Sequence, residues 1–112
     1  MTPRDREALE RIVESAVVVA GYVERAGADW TSDAMAVDAI AKRIEEIGET
    51  AKRIGTTTLA SMPEIDWRGL KGLREILAHD YDDIDIAIVD DVVRAKLPQV
   101  VTVVRQRLAA GE

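Results

Sequence analysis

The chain has 112 residues, 47% of them hydrophobic and none of them phenylalanine, which predicts one domain over residues 1–112 with an aliphatic core and argues against disorder. Its formal net charge of −6 argues against non-specific coating of nucleic acid, and its lack of cysteine excludes disulfides and cysteine-ligated metals. Neither a membrane span of ~20 apolar residues nor the apolar run of a signal peptide is visible, which predicts a cytoplasmic protein that makes no membrane contact.

Two long amphipathic helices are predicted in the first half of the chain. The first begins at Thr2 and Pro3, with Thr2 as its cap and Asp5 at the position of a capping-box acid. A second start at residues 31–33 leads into apolar residues spaced three and four apart, which is the period of a helix with one buried face. These residues are Val37, Ile40, Ile44, Ile47, Ala51 and Ile54.

Shorter helical segments are predicted in the second half. Asp66 is a cap for a third helix that begins at Trp67. The last segment follows a cap at Asp83 or Asp85, and Pro98 is expected to kink or divide it. Two apolar runs in that segment have strand propensity, but their flanks keep the helical period, so both are assigned to helix. The whole pattern predicts an all-α, up-and-down bundle of four to five helices.

Residues with chemical potential cluster around the end of the third helix. Arg74, His79 and Tyr81 follow one another closely, and His79 is the only histidine of the chain. A guanidinium suits a phosphate, an imidazole transfers protons near neutral pH, and a phenol can donate a hydrogen bond or accept a covalent group. Arg68 and Lys71 precede Arg74 at intervals of three residues. This spacing predicts either a basic strip that contacts RNA phosphates or a solvated helix face.

The single histidine constrains any catalytic scheme for this segment. Cleavage of a phosphodiester without a metal needs a base, an acid and a cation for the phosphate, and RNA supplies its own nucleophile in the 2′-hydroxyl. A pair of histidines therefore requires two chains, which predicts a symmetric homodimer with a composite cleft. No metal or cofactor is expected, because the acidic run over residues 80–85 lacks the ligand pattern of a calcium loop and suits helix capping.

The stretch from Ile65 to Tyr81 reads Ile-Asp-Trp-Arg-Gly-Leu-Lys-Gly-Leu-Arg-Glu-Ile-Leu-Ala-His-Asp-Tyr and resembles the signature region of HepT-like toxins in the HEPN superfamily. Residues 38–52, Pro63 and the Leu97-Pro98 pair are also similar to that family's pattern, so the resemblance covers nearly the whole chain. It implies an HEPN-like bundle and a metal-independent, homodimeric RNase toxin. It also implies a partner, an MntA-type nucleotidyltransferase antitoxin that attaches AMP to the motif tyrosine.

The resemblance assigns roles residue by residue. Arg74 and His79 correspond to the catalytic pair, and Tyr81 corresponds to the AMP acceptor. Glu75 departs from the pattern, because the family usually has Asn after the arginine, and this leaves the strength of the nuclease open. The alternative for Arg74 is an ion pair with Glu75 or with the acidic run over residues 80–85.

Plainer interpretations exist for the other two motif residues and for the protein. His79 could act as a helix cap, and Tyr81 could pack at the helix junction with its hydroxyl in water. The alternative function is a non-catalytic module that binds a nucleotide or docks a nucleotidyltransferase.

Overall fold

The computed structural model describes residues 1–77 and 84–111, and their regular structure is helical throughout. The elements are α1 (Pro3–Ala26), a 3₁₀ turn (Trp30–Ser32), α2 (Ala34–Ala51), α3 (Thr56–Ala60), α4 (Trp67–Lys71), α5 (Leu73–Leu77), α6 (Ile86–Asp91), a π-helical turn (Val92–Lys96) and α7 (Leu97–Ala109). The predicted all-α class is confirmed, and both apolar runs with strand propensity are helical. Within these ranges, no helix is long and apolar enough to cross a membrane.

Side-chain caps begin four of the helices, as predicted. In each case an oxygen of the cap accepts a hydrogen bond from the backbone N–H three residues further on, which satisfies a donor that the helix itself leaves unpaired. The caps are Thr2 for α1, Asp33 for α2, Asp66 for α4 and Asp85 for α6. The other candidate for α6, Asp83, lies outside the described residues.

One segment predicted as a continuous helix is interrupted, and the last segment, which Pro98 was predicted to kink or divide, changes its helical bonding just before that proline. The helix from Trp67 stops at Gly72, whose N–H bonds to the carbonyls of Arg68 and Gly69, and α5 then starts anew. Before α7, the N–H of Leu97 donates to the carbonyl of Val92 in a wider turn. Pro98 follows directly and has no N–H to donate to the carbonyl four residues before it. The wide turn therefore lies where the regular α-helical hydrogen bonds cannot all form.

The core lies between the long helices, which run up and down. The start of α1 lies beside the end of α7, because Arg6 Nη2 donates to the Leu108 carbonyl at 3.3 Å. It also lies beside the chain that follows α2, because the Asp5 carboxylate accepts hydrogen bonds from Gly55 and Thr58. Aliphatic side chains that are almost fully buried fill the interior. They include Leu9 and Ile12 from α1, Ile40, Ile44 and Ile47 from α2, and Val100 and Val104 from α7.

Asp5 makes tertiary contacts in addition to the capping role that its sequence position predicts. Its side chain is buried, and its carboxylate accepts hydrogen bonds from the Thr58 hydroxyl at 2.5 Å and from the Gly55 N–H at 3.2 Å. The Thr58 hydrogen bond is the largest influence on the pKa of Asp5, which lies below its usual value. Asp5 therefore joins α1 to α3, a contact across 53 residues of sequence that no local pattern reveals.

Candidate functional site

A close contact between α2 and α4 positions the region around Arg74. A Cβ atom placed on Gly48 would lie 2.5 Å from the carbonyl oxygen of Leu70, so only glycine permits this approach. Leu70 is buried on α4, and Leu73 is buried on α5. These leucines face the core, and Arg68 and Arg74, which flank them in the sequence, are exposed.

Four charged residues form what we call the Glu49 cluster: Glu49 on α2, Lys52 directly after α2, and Arg74 and Glu75 on α5. Lys52 Nζ donates to Glu49 Oε2 at 2.8 Å, and Arg74 Nη1 lies 3.8 Å from Glu49 Oε1. Glu75 Oε1 lies 3.9 Å from Lys52 Nζ. Opposite charges therefore alternate across the junction of the two helices.

The sequence suggested Glu75 or the acidic run as ion-pair partners for Arg74, whereas among the described residues its partner is Glu49 from α2. Glu75 forms an ion pair with Lys52 instead. The hydrogen bond from Lys52 is the largest cause that lowers the pKa of Glu49, and the same bond raises the pKa of Lys52. Both groups thus keep their charges near neutral pH, and Glu49 presents a full carboxylate charge to Arg74.

The predicted basic strip is divided between two helices. Arg68 and Arg74 are exposed and Lys71 is half-buried, with the interruption at Gly72 between them. Within residues 1–77 and 84–111, neither Arg68 nor Lys71 makes an ion pair or a side-chain hydrogen bond, so both remain available to a ligand. The remaining predicted site residues, His79 and Tyr81, lie outside the described residues, as do most residues of the acidic run.

A polar groove of about 480 Å³ lies beside the cluster, between α1 and α2, and we call it the α1–α2 groove. Its walls carry charges of both signs, and Arg74 and Glu49 are both part of the lining. The lining side chains are the basic Arg11, Lys42, Arg43, Arg53 and Arg74, the acidic Glu14, Glu45, Glu46 and Glu49, and the hydroxyl-bearing Ser15 and Thr50. A groove lined in this way suits a charged, hydrogen-bonding ligand.

Sequence reasoning missed Glu49, Lys52 and the groove, because charged residues along a helix are typical of a solvated surface and their neighbours on other helices cannot be read from the local pattern. One signal was present. Gly48 lies beside the apolar seam of the second predicted helix, and an isolated glycine inside a helix often has a packing reason. Among the described residues, no group of three or more histidine, aspartate or glutamate side chains is arranged to hold a metal ion.

Comparisons with known proteins identify the family of the chain. The profile of the family described as "Ribonuclease HepT-like" matches residues 6–107. The chain is 29% identical over 102 residues to "Putative RNase MJ1380" of Methanocaldococcus jannaschii, covering 89% of this chain and 94% of the relative. It is 28% identical over 94 residues to "Probable ribonuclease HepT" of Thermococcus cleftensis, covering 83% and 86%.

A third relative matches over a shorter stretch. The chain is 30% identical over 70 residues to "Putative RNase MJ0127" of Methanocaldococcus jannaschii, and this covers 62% of the chain and 58% of the relative. No solved structure matches the chain significantly. The helical bundle, with an exposed arginine on a short helix before the His-x-Tyr sequence, defines an HEPN-type protein. The chain belongs to the HepT-like ribonuclease family of the HEPN superfamily.

Proposed function

We propose that this protein is a metal-independent endoribonuclease that acts as the toxin of a toxin–antitoxin system in the cytoplasm. Membership of the HepT-like ribonuclease family over residues 6–107 carries the proposal. Two features of the chain support it. Arg74 is exposed near the end of α5, and His79 follows at the spacing that the family motif requires.

The proposed reaction uses the nucleophile that RNA contains. The 2′-hydroxyl attacks the adjacent phosphorus and loses its proton to a base, while the 5′-oxygen leaves and takes a proton from an acid. The products are a 2′,3′-cyclic phosphate and a 5′-hydroxyl. Arg74 stabilises the charge that grows on the phosphate, and His79 serves as the base or the acid.

Two protomers are needed if histidines fill both proton-transfer roles. His79 of one protomer would then accept the proton, and His79 of the second would donate one, in a composite cleft. Light scattering should give about twice the chain mass of 12.3 kDa. A protein that stays monomeric at micromolar concentration while cleaving RNA would contradict this two-histidine arrangement.

Cleavage of RNA in the presence of EDTA tests the activity. The purified protein should cut RNA, His79→Ala should not, and Arg74→Ala should lose a factor of about 10²–10³ because a preorganised cation is removed. Arg94→Ala is the matched control, because Arg94 is also exposed and is bonded to an acid, Asp90, at 2.6 Å. Equal cleavage by the wild type and His79→Ala would identify the activity as contamination.

Regulation is proposed to act on Tyr81. An MntA-type nucleotidyltransferase antitoxin would transfer AMP from ATP, with the phenol oxygen attacking the α-phosphorus and pyrophosphate leaving. The added negative charge and bulk would then block the phosphate position near Arg74. Mass spectrometry should find a gain of about 329 Da per AMP. The gain should be absent in Tyr81→Phe and retained in Tyr22→Phe, which alters the other tyrosine.

A non-catalytic docking or nucleotide-binding module is the second candidate. Two observations favour it. Glu75 replaces the usual Asn, and Arg74 already forms an ion pair with Glu49 at 3.8 Å. Expression in a bacterial host separates the two candidates. Growth arrest that requires His79 supports the toxin, whereas unaffected growth with stable expression supports the module.

A further inference from the structure

We propose that the α1–α2 groove binds the RNA backbone next to the scissile phosphate, as a path for single-stranded RNA that leads away from Arg74. This inference rests on the proposed ribonuclease function, because that function places an RNA phosphate at Arg74. The path would run from Arg74 past Arg53 and Arg11 toward Arg4. It adds a substrate-binding surface on α1 and α2 to the motif residues that follow α4.

Two neighbouring cavities give the path its length. The second, of about 350 Å³, is lined by Arg4 and Glu7 and shares Arg11, Thr50 and Arg53 with the groove. The two cavities therefore adjoin each other along the paired helices, and we call them together the channel. Arg4 and Arg11 lie two turns apart on α1, which corresponds to about 10 Å along the helix axis. A chain of phosphates could meet successive cations along this distance.

The basic side chains of the channel differ in whether they form ion pairs. Within residues 1–77 and 84–111, no ion pair engages Arg4, Arg11, Lys42 or Arg53. By contrast, Arg43 lies 3.9 Å from Glu46. Unpaired cations in a protein of net charge −6 retain their capacity for phosphate contacts.

Acidic side chains also line the channel, so its net positive charge is small. Glu46 and Glu49 have basic partners of their own, Arg43 for the first and Lys52 with Arg74 for the second. Within the described residues no ion pair engages the other acidic residues of the lining, which are Glu7, Glu14 and Glu45. Binding would therefore depend on individual contacts with the unpaired cations and not on a broad positive field. This matches a site that holds a short stretch of RNA and does not coat long nucleic acid.

The floor of the groove offers neutral hydrogen-bonding groups. Ser15 is 7% exposed and Thr50 is 6% exposed, and both line the groove. Within the described ranges, no side-chain hydrogen bond engages either hydroxyl, and neither oxygen is among the fully buried atoms that lack a partner. A hydroxyl can donate to a phosphate oxygen and can also exchange hydrogen bonds with a ribose 2′-hydroxyl. These two groups therefore favour a ribonucleotide backbone over a simple anion.

Salt-dependent binding of a short fluorescein-labelled single-stranded RNA tests the proposal. Fluorescence anisotropy is measured from about 50 to 200 mM salt in the His79→Ala background, so that the RNA stays intact. The double variant Arg11→Gln/Arg53→Gln should lower the slope of log affinity against log salt by about 1.4, because each lost contact with a single strand contributes about 0.7. Arg25→Gln/Arg105→Gln removes the same charge from exposed positions that do not line the channel, and its slope should stay near that of the parent.

The outcomes separate this proposal from the proposed function. Equal losses in both double variants would indicate a general charge effect and overturn the channel. Normal RNA binding by the groove variant would also overturn the channel, whether or not the His79-containing protein cleaves RNA. A groove variant that separates into monomers in sedimentation, with unchanged RNA binding, would assign the groove to the protomer contact instead. RNA that is bound through Arg11 and Arg53 but never cleaved would preserve the channel and reject the nuclease.

Discussion

Asp5 and Glu49 are both acidic residues that join two helices, and they do so by opposite means. Asp5 is buried and accepts hydrogen bonds from neutral donors, the Thr58 hydroxyl and the Gly55 N–H. The Glu49 side chain is 36% exposed and contacts two cations, Lys52 at 2.8 Å and Arg74 at 3.8 Å. Both contacts lower the pKa of the carboxyl group.

The difference predicts unequal costs of breaking the two contacts. A buried carboxylate that loses its partners leaves unsatisfied groups inside the protein, which costs much more than the bond itself gains. An exposed ion pair exchanges its partner for water or another ion at little cost, because solvent screens it. The Asp5 contact should therefore hold the bundle together. The Glu49 cluster should contribute little to the fold and leave Arg74 available to a phosphate.

The largest loss of stability is expected for Asp5→Ala. This change removes two hydrogen bonds to a charged group and leaves the Thr58 hydroxyl and the Gly55 N–H without their acceptor. The free energy of unfolding should fall by about 2–4 kcal/mol, measured by urea denaturation. Thr58→Val, which removes one donor, should cost less, and the double variant should be less destabilised than the sum of the two. A loss no greater than that of a surface substitution would contradict a structural role for Asp5.

Gly48→Ala should be the next most damaging change. Its Cβ would meet the Leu70 carbonyl oxygen at 2.5 Å, so α2 and α4 must move apart. The clash should exceed the gain in helix propensity and give a net loss of about 1–2 kcal/mol. Gly21→Ala is the matched control, because it also lies within a helix but has no atom within 4 Å of the added Cβ. That variant should be slightly stabilised in the same denaturation experiment.

Acid should weaken the Asp5 contact in a defined direction. The pKa of Asp5 is lowered from 3.8 by folding, so the unfolded chain takes up its proton first as the pH falls. The stability from this group is complete above the unfolded pKa and is lost as the pH falls through the folded value. Urea midpoints measured from neutral pH downward should therefore decline below about pH 4. Asp5→Asn, which has no charge to lose at this position, should flatten part of that decline, and an unchanged profile would assign the decline to other carboxyl groups.

The long helices and their caps could be predicted from the sequence because both depend on local information. The seam from Val37 to Ile54 and the cap at Asp33 suffice to locate α2. The interruption at Gly72 could not be predicted with the same security, since a glycine within a helical pattern is compatible with either continuation or a break. The Asp5–Thr58 bond was also beyond local reasoning, because it joins residues 53 positions apart.

For the candidate site, too, some features follow from the local sequence pattern and others depend on contacts between helices. The exposure of Arg68 and Arg74 follows from the helical period, which sends Leu70 and Leu73 into the core. The partner of Arg74 does not follow from it, because Glu49 comes close only through the Gly48–Leu70 approach of two helices. Roles for His79 and Tyr81 rest on the family motif and stay predictions.

The smallest effect on stability is expected for Glu49→Gln, and it sharpens the contrast with Asp5. The substitution keeps the size of the side chain and removes the charge that holds Lys52 and Arg74. Unfolding in urea at low salt should show a slight loss, and this loss should vanish at about 1 M NaCl, where charges are screened within about 3 Å. Glu46→Gln, which removes a single contact with Arg43 at 3.9 Å, is the control on the same helix. A loss that persists at high salt would show that Glu49 supports the fold as Asp5 does. In that case, binding of a phosphate by Arg74 would break a contact that stabilises the bundle.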